Sequence, residues 1–93
     1  MFVVRIVADA DRLDFKVFDR LDGAQQRFDH GCQQTHEGEF DSIAIFEVSD
    51  ATTPRDAVQA VKRGDKERVR LISLNESPEV RLARLAPKIR IEL

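Results

Sequence analysis

The 93-residue chain is 42% hydrophobic and 34% charged, carries a net charge of −2 and contains one cysteine. This composition excludes a disordered chain, a disulfide-stabilised scaffold and a broadly basic surface for nucleic acid. A chain of this length can form one core, so we expect a single domain spanning residues 1–93. Any ligand site is then expected in a surface cleft or between subunits.

The two parts of the chain carry opposite charge. Residues 1–54 contain five basic and eleven acidic side chains, a net charge of −6, whereas residues 55–93 contain ten basic and six acidic ones, a net charge of +4. We expect most of this asymmetry to be neutralised within one compact fold. Oppositely charged patches would also favour self-association.

Cysteine content and hydropathy predict a cytoplasmic protein. Cys32 has no second cysteine with which to form an intramolecular disulfide, which fits a reducing compartment. The apolar start of the chain is interrupted by Arg5 and is too short for a signal peptide, and no stretch approaches the length of a membrane span. We therefore expect no membrane partner.

The first half of the chain predicts two strands and a helix. Residues 2–8 are rich in β-branched side chains, and residues 13–18 alternate apolar with polar side chains, so the two segments are expected to form a hairpin. A helix is expected over residues 20–35. Its apolar stripe has spacings of three and four and consists of Leu21, Ala24, Phe28, Cys32 and Thr35.

Residues 40–74 predict a buried strand, a capped helix and a second strand. The strand at 43–48 is expected to be central and buried on both sides, so that truncation of Phe46 to Ala would cost about 3–5 kcal/mol. Thr53 followed by Pro54 is a strong helix start, and Gly64 after two basic residues is a strong helix stop. The second strand is expected at 67–74.

The C-terminal segment is less clearly patterned. Residues 78–86 fit both a short helix and a strand, and the pattern does not decide between them. Beyond Pro87, an alternating row predicts a terminal strand. The apolar members of that row are Ile89, Ile91 and Leu93.

These elements predict the α+β class: a single two-layer domain in which a mixed β-sheet of four or five strands packs against two main helices. The segments 19–39 and 49–66 are long enough for helical crossovers, which would give parallel neighbours. Ferredoxin-like and thioredoxin-like sandwiches are alternatives. The first needs a hairpin between its helices, and the second is not supported by a Cys-x-x-Cys motif.

Three residues near the end of the first helix could bind a metal or act as a nucleophile and base. His30, Cys32 and His36 are residue types found in metal sites, but a tetrahedral site needs four ligands and the chain has no second His or Cys pair. A nucleophilic thiol must be exposed, whereas the apolar stripe predicts that Cys32 faces the core. We therefore expect Cys32 to be buried and unreactive.

Three aspartates are candidate ligands for a divalent metal such as Mg²⁺. Asp9 and Asp11 follow the first strand, and Asp50 follows the third. They would converge if those strands were parallel neighbours, because α/β sheets bind ligands at the carboxyl ends of their strands. The predicted hairpin directs the first strand the other way, and aspartates at strand ends also form turns.

The pattern of basic side chains in the C-terminal half does not predict a nucleic-acid site. The chain has no Tyr or Trp, and its six Phe all precede residue 47, so no aromatic stacking platform is interleaved with the basic residues. We expect a solvated basic face and no nucleic-acid partner.

No catalytic residue and no cofactor is predicted. The leading hypothesis is a small interaction or regulatory domain that binds another protein or another copy of itself, as a homodimer held by the terminal strand and the split charge. The alternatives are a small-molecule or divalent-metal binding module that uses Asp9, Asp11 and Asp50, and an enzyme whose site is completed at an oligomer interface.

Overall fold

The computed structural model describes residues 1–8 and 12–83. In chain order the elements are β1 (Phe2–Ala8), β2 (Arg12–Phe18), α1 (Leu21–His36), β3 (Ser42–Val48), α2 (Pro54–Arg63) and β4 (Val69–Glu76), followed by a short helix, α3, at 78–83. The strands form one sheet in the order β2-β1-β3-β4. In the described part of the chain, no helix is long and apolar enough to cross a membrane.

Every pairing among the described strands is antiparallel, so the expectation of a mixed sheet with parallel neighbours is wrong for these strands. The α1 crossover does return β3 in the same direction as β2. However, β3 pairs with β1 rather than with β2, because β1 occupies the position between them. The loops around α2 return the chain to the end of the sheet that it left, where Ser49 N donates to Arg68 O at 2.9 Å. β4 consequently runs antiparallel to β3.

The α+β class, with one sheet packed against two main helices, is confirmed. Alternation along the strands divides the sheet into an α1 face and an α2 face, each with its own apolar cluster. The buried cluster on the α1 face consists of Val4, Ile6, Ala24, Phe28, Ile43 and Ile45. The buried cluster on the α2 face consists of Val3, Val48, Ala57, Ala60 and Val61. The element order ββαβαβ differs from the βαββαβ order of ferredoxin-like domains.

Several local expectations are confirmed, and others are resolved or corrected. β3 is a central strand in which Ile43, Ile45 and Val48 are buried, but Phe46 is only half-buried. Residues 78–83 are helical, which resolves the ambiguity for that part of 78–86. Residues 84–93, including the row of Ile89, Ile91 and Leu93, lie outside the described residues.

α1 approaches the sheet closely at Gly31. A Cβ at this position would stand closer to Ile43 Cδ1 than real Cβ contacts do. Ile43 is fully buried, so its side chain has little space into which to move. Gly31 weakens the helix intrinsically, but it allows α1 to approach the central strand closely.

α2 is held at both ends and to the loop before β4. Thr53 Oγ1 accepts a hydrogen bond from Asp56 N at 3.1 Å, and Gly64 ends the helix with a φ of 65°, as the sequence predicts. Arg68 Nη2 donates to Asp56 Oδ2 at 2.6 Å. Hydrogen bonding from Arg68 is the main reason that the pKa of Asp56 lies below its ordinary value, and the positive charges of Arg68 and Arg63 act in the same direction.

We expect Gly31→Ala to lower the free energy of unfolding by about 1–2 kcal/mol. Because Ile43 is fully buried, the upper part of the overpacking range applies, about 2–3 kcal/mol, and the gain in helix propensity returns about 1 kcal/mol of it. Ile43→Val should partly rescue the Gly31→Ala variant, because it removes the Cδ1 methyl group that the new Cβ meets. Denaturant unfolding measures both effects. Gln26→Ala, at an exposed position of the same helix, is the control, and a Gly31→Ala variant as stable as this control would contradict the close approach.

We expect Asp56→Asn to lower the unfolding midpoint at neutral pH and to have little effect in acid. Since the folded-state pKa of Asp56 is depressed, its contribution is fully present above the unfolded-state value of about 3.9 and is lost as the pH falls through the folded-state value. Thermal melts of both proteins between pH 2 and pH 7 test this, and the control is Glu67→Gln, an exposed carboxylate in the nearby loop. A difference in midpoint that persists unchanged at low pH would contradict the assignment.

Candidate interaction surface

The three candidate metal-ligating aspartates follow strands that run in opposite directions. The β1–β3 register pairs Phe2 with Glu47 and Val7 with Ser42, so the carboxyl ends of the two strands lie at opposite ends of the sheet. Over seven residues this separates the strand ends by about 20 Å. Asp50 follows β3 in the left-handed conformation, with a φ of 58°. Asp9 and Asp11 lie outside the described residues, and the divalent-metal hypothesis stays a prediction without the parallel pairing that would have favoured it.

The His30, Cys32 and His36 side chains lie on α1 but differ in exposure. Both histidines are exposed, whereas Cys32 is half-buried and packs against the cluster on the α1 face. Burial raises the pKa of the Cys32 thiol, the charge of Asp29 raises it further, and a hydrogen bond with Asn75 opposes this shift. Among the described residues, no three His, Cys, Asp or Glu side chains are grouped as a metal site requires. The arrangement fits a structural thiol beside solvated histidines.

The α2 face of the sheet is only partly covered. The ten-residue α2 packs over Val3 and Val48 at one end of this face, and the other end is left open. Three leucines lie where α2 does not cover this face. Leu13, opposite Val7, and Leu74, opposite Ala44, lie towards the open end. Leu71, opposite Phe46, lies in the same cross-strand row as Val3 but to the side of α2, on β4. Their exposed fractions are 55% for Leu13, 50% for Leu71 and 44% for Leu74. An apolar surface of this kind is typical of a site that another polypeptide covers.

Two cations lie against aromatic rings on the same face. The Arg5 guanidinium lies 4.9 Å from the centre of the Phe46 ring, and Lys62 Nζ lies 5.3 Å from the centre of the Phe15 ring. Arg5 and Lys62 line one shallow groove with Phe15 and other apolar side chains. Neither cation has a salt-bridge partner among the described residues. The open part of the α2 face therefore combines aliphatic, aromatic and positively charged groups.

The open leucines lie on the two outer strands of the described sheet. β2 pairs with β1 alone, and β4 pairs with β3 alone, so each has an outer side without a strand partner among residues 1–8 and 12–83. Leu13 belongs to β2, while Leu71 and Leu74 belong to β4. We call Leu13, Phe15 and Val17 the β2 margin, and Leu71 with Leu74 the β4 margin. Sequence reasoning missed both margins, because apolar side chains on one face of a strand predict burial and only the length and placement of α2 leave these exposed.

Comparisons with known proteins identify no relative of this chain. No family model matches the chain, and no curated protein and no solved structure matches it. The function is therefore inferred from the physical features of the surface.

We expect Cys32 to react slowly with a thiol reagent in the native protein and rapidly after unfolding. Its packing against the core cluster limits access, and its raised pKa reduces the fraction of thiolate at neutral pH. Labelling with a chromogenic disulfide reagent, with and without denaturant, measures the difference. Cys32→Ser supplies the background and should remain folded. Rapid stoichiometric labelling of the native chain would support the nucleophile hypothesis instead.

Proposed function

We propose that this chain is a small protein-interaction domain, without catalytic activity of its own, that works first by self-association as a homodimer. The observation that carries the proposal is the open part of the α2 face, where three half-exposed leucines lie on the two outer strands. The single half-buried cysteine fits a reducing compartment, so the proposal places the domain in the cytoplasm.

Burial of the open leucines would stabilise an association. Covering the exposed fraction of a leucine contributes on the order of 1 kcal/mol, and the outer strands offer backbone hydrogen-bonding groups beside them. A partner that pairs with an outer strand would cover the adjoining margin at the same time. This combination favours a polypeptide partner over a small ligand, which would cover little of such an open surface.

The distribution of exposed charge supports association between copies. Acidic side chains are exposed on α1 at Asp22 and Asp29, whereas α2 exposes basic ones at Arg55 and Lys62. Each copy therefore presents surfaces of both signs. Attraction between surfaces of opposite sign accelerates the encounter of two copies. Their contribution should decrease as salt is raised, since exposed charges are screened.

We expect the protein to sediment as a dimer at tens of micromolar and its affinity to fall at high ionic strength without being lost. Sedimentation velocity of the full chain at low and high salt measures both. Leu13→Ser and Leu74→Ser test the two margins separately. Leu82→Ser is the matched control, because Leu82 is 67% exposed but lies on α3 rather than on the sheet.

One of the two margin variants should weaken the dimer, and the control should not. A monomer in every buffer at this concentration would overturn the proposed self-association. Equal weakening by all three leucine variants would show that exposed leucines associate non-specifically.

A further inference from the structure

We propose that the homodimer forms by antiparallel pairing of β2 with β2 of a second copy, centred on Phe15, so that two four-stranded sheets join into one continuous sheet. The inference rests on the proposed self-association and specifies which edge, which register and which symmetry it uses. Its occupant is a second copy of this chain.

The symmetry of the pairing follows from the positions of the side chains on β2. Leu13, Phe15 and Val17 lie on the α2 face, and Asp14 and Lys16 lie on the α1 face, opposite Ile6 and Val4 of β1. A two-fold axis perpendicular to the sheet keeps the two α2 faces on the same side of the joined sheet. Residues that face each other across the axis must therefore come from the same side of the strand.

The register centred on Phe15 is complementary in charge. It places Asp14 of each copy opposite the partner's Lys16, and the two-fold axis repeats this pair, so that the dimer gains two opposite-charge pairs. Asp14 and Lys16 are both exposed and form no salt bridge within the described chain, so both are available to a partner. Opposite charges directly across two strands stabilise the pairing, and like charges destabilise it.

The two neighbouring registers are disfavoured by the same charges. Because opposed residues must lie on the same face, the next permitted registers are centred on Asp14 or on Lys16. The first places two aspartates face to face at the axis, and the second places two lysines there. Each also shortens the overlap, whereas Phe15 is the midpoint of the seven-residue strand from Arg12 to Phe18. The β2 sequence thus specifies one register. Charges that only protected an exposed edge strand from pairing would not need to be complementary between two copies.

The apolar side of β2 fits the same register. It places Leu13 opposite the partner's Val17 and Phe15 opposite the partner's Phe15, all on the α2 face. Two shallow grooves flank Phe15 between β2 and α2, one lined in part by Leu13 and Lys62 and the other by Val17 and Val58. Pairing would cover the β2 margin with the margin of the second copy, and the small contact area is expected to give a micromolar dissociation constant.

The β4 edge is less suited to the same pairing. Its Arg70 already bonds Glu47 of β3 at 2.8 Å, and Glu76 at its end is also engaged. The pairing of β3 with β4 also shifts register between Ile45 and Phe46, so that Ile72 of β4 has no opposite residue. Irregularities of this kind twist an edge strand away from regular pairing. The observations therefore favour β2.

Charge-reversal variants test the register in the full chain. Asp14→Lys makes positions 14 and 16 of each copy both basic, and Lys16→Asp makes both acidic. We expect each single variant to weaken the dimer by about tenfold or more, because both Asp14–Lys16 pairs across the interface become like-charge pairs. A 1:1 mixture of the two variants should regain the wild-type affinity as a heterodimer, since each copy then faces the opposite charge.

Sedimentation velocity measures affinity, native mass spectrometry of a mass-tagged variant identifies the heterodimer, and thermal melts confirm that each variant is folded. Lys66→Asp, an exposed reversal away from the sheet, is the control. A wild-type dimer that neither reversal weakens would overturn the β2 register and leave the proposed self-association standing. Weakening by both reversals without recovery in the mixture would also overturn it. A wild-type monomer would overturn both proposals.

Discussion

The structure depends on a central strand that is apolar on both of its faces. Ile43 and Ile45 of β3 point to the α1 face, and Val48 points to the α2 face, and all three are buried. Such a strand is stable in water only if something covers the sheet on each side. The 16-residue α1 covers one face closely because Gly31 carries no side chain against Ile43. The capped and shorter α2 covers part of the other face.

The unequal length of the two helices leaves part of one face uncovered. α2 has ten residues and reaches about 15 Å along its axis, and three leucines of the outer strands stay exposed on its face. Arg5 and Lys62 lie on aromatic rings of the same face. The open part of the α2 face, with the outer strands beside it, is thus a product of how one helix is placed.

The residue types that most often carry chemistry contribute less to the candidate interaction surface than the outer strands do. Cys32 packs against the core and has a raised pKa because of its burial, so it resembles a structural thiol more than a nucleophile. Asp50 follows β3 and lies at the other end of the sheet from the carboxyl end of β1. By contrast, Asp14 and Lys16, which suggest no chemistry as isolated residues, have a role in the proposed dimer because their strand is an outer one. Their significance comes from position in the sheet rather than from residue type.

The sequence by itself determined the four strands, α1 and α2, because each rests on local signals. β-Branched side chains predicted β1, alternation predicted β2 and a buried apolar run predicted β3, and Thr53 with Gly64 marked the two ends of α2, as the structure confirms. The apolar stripe of α1 likewise predicted that Ala24, Phe28 and Cys32 pack against the core, but Leu21 at its start is exposed. These features depend on spacings of a few residues and on backbone preferences, which a single chain displays directly.

Only the tertiary structure decided strand order, the antiparallel direction of every described pairing and the placement of the helices on opposite faces. These depend on which elements meet across long sequence separations, and period-2 alternation is the same for a strand at the centre as for one at the edge. The open leucines belong to this second group, since their pattern predicts burial and their exposure reflects where α2 ends. The candidate surface could not be read from the sequence for that reason: it is defined by the apolar area that the fold leaves uncovered.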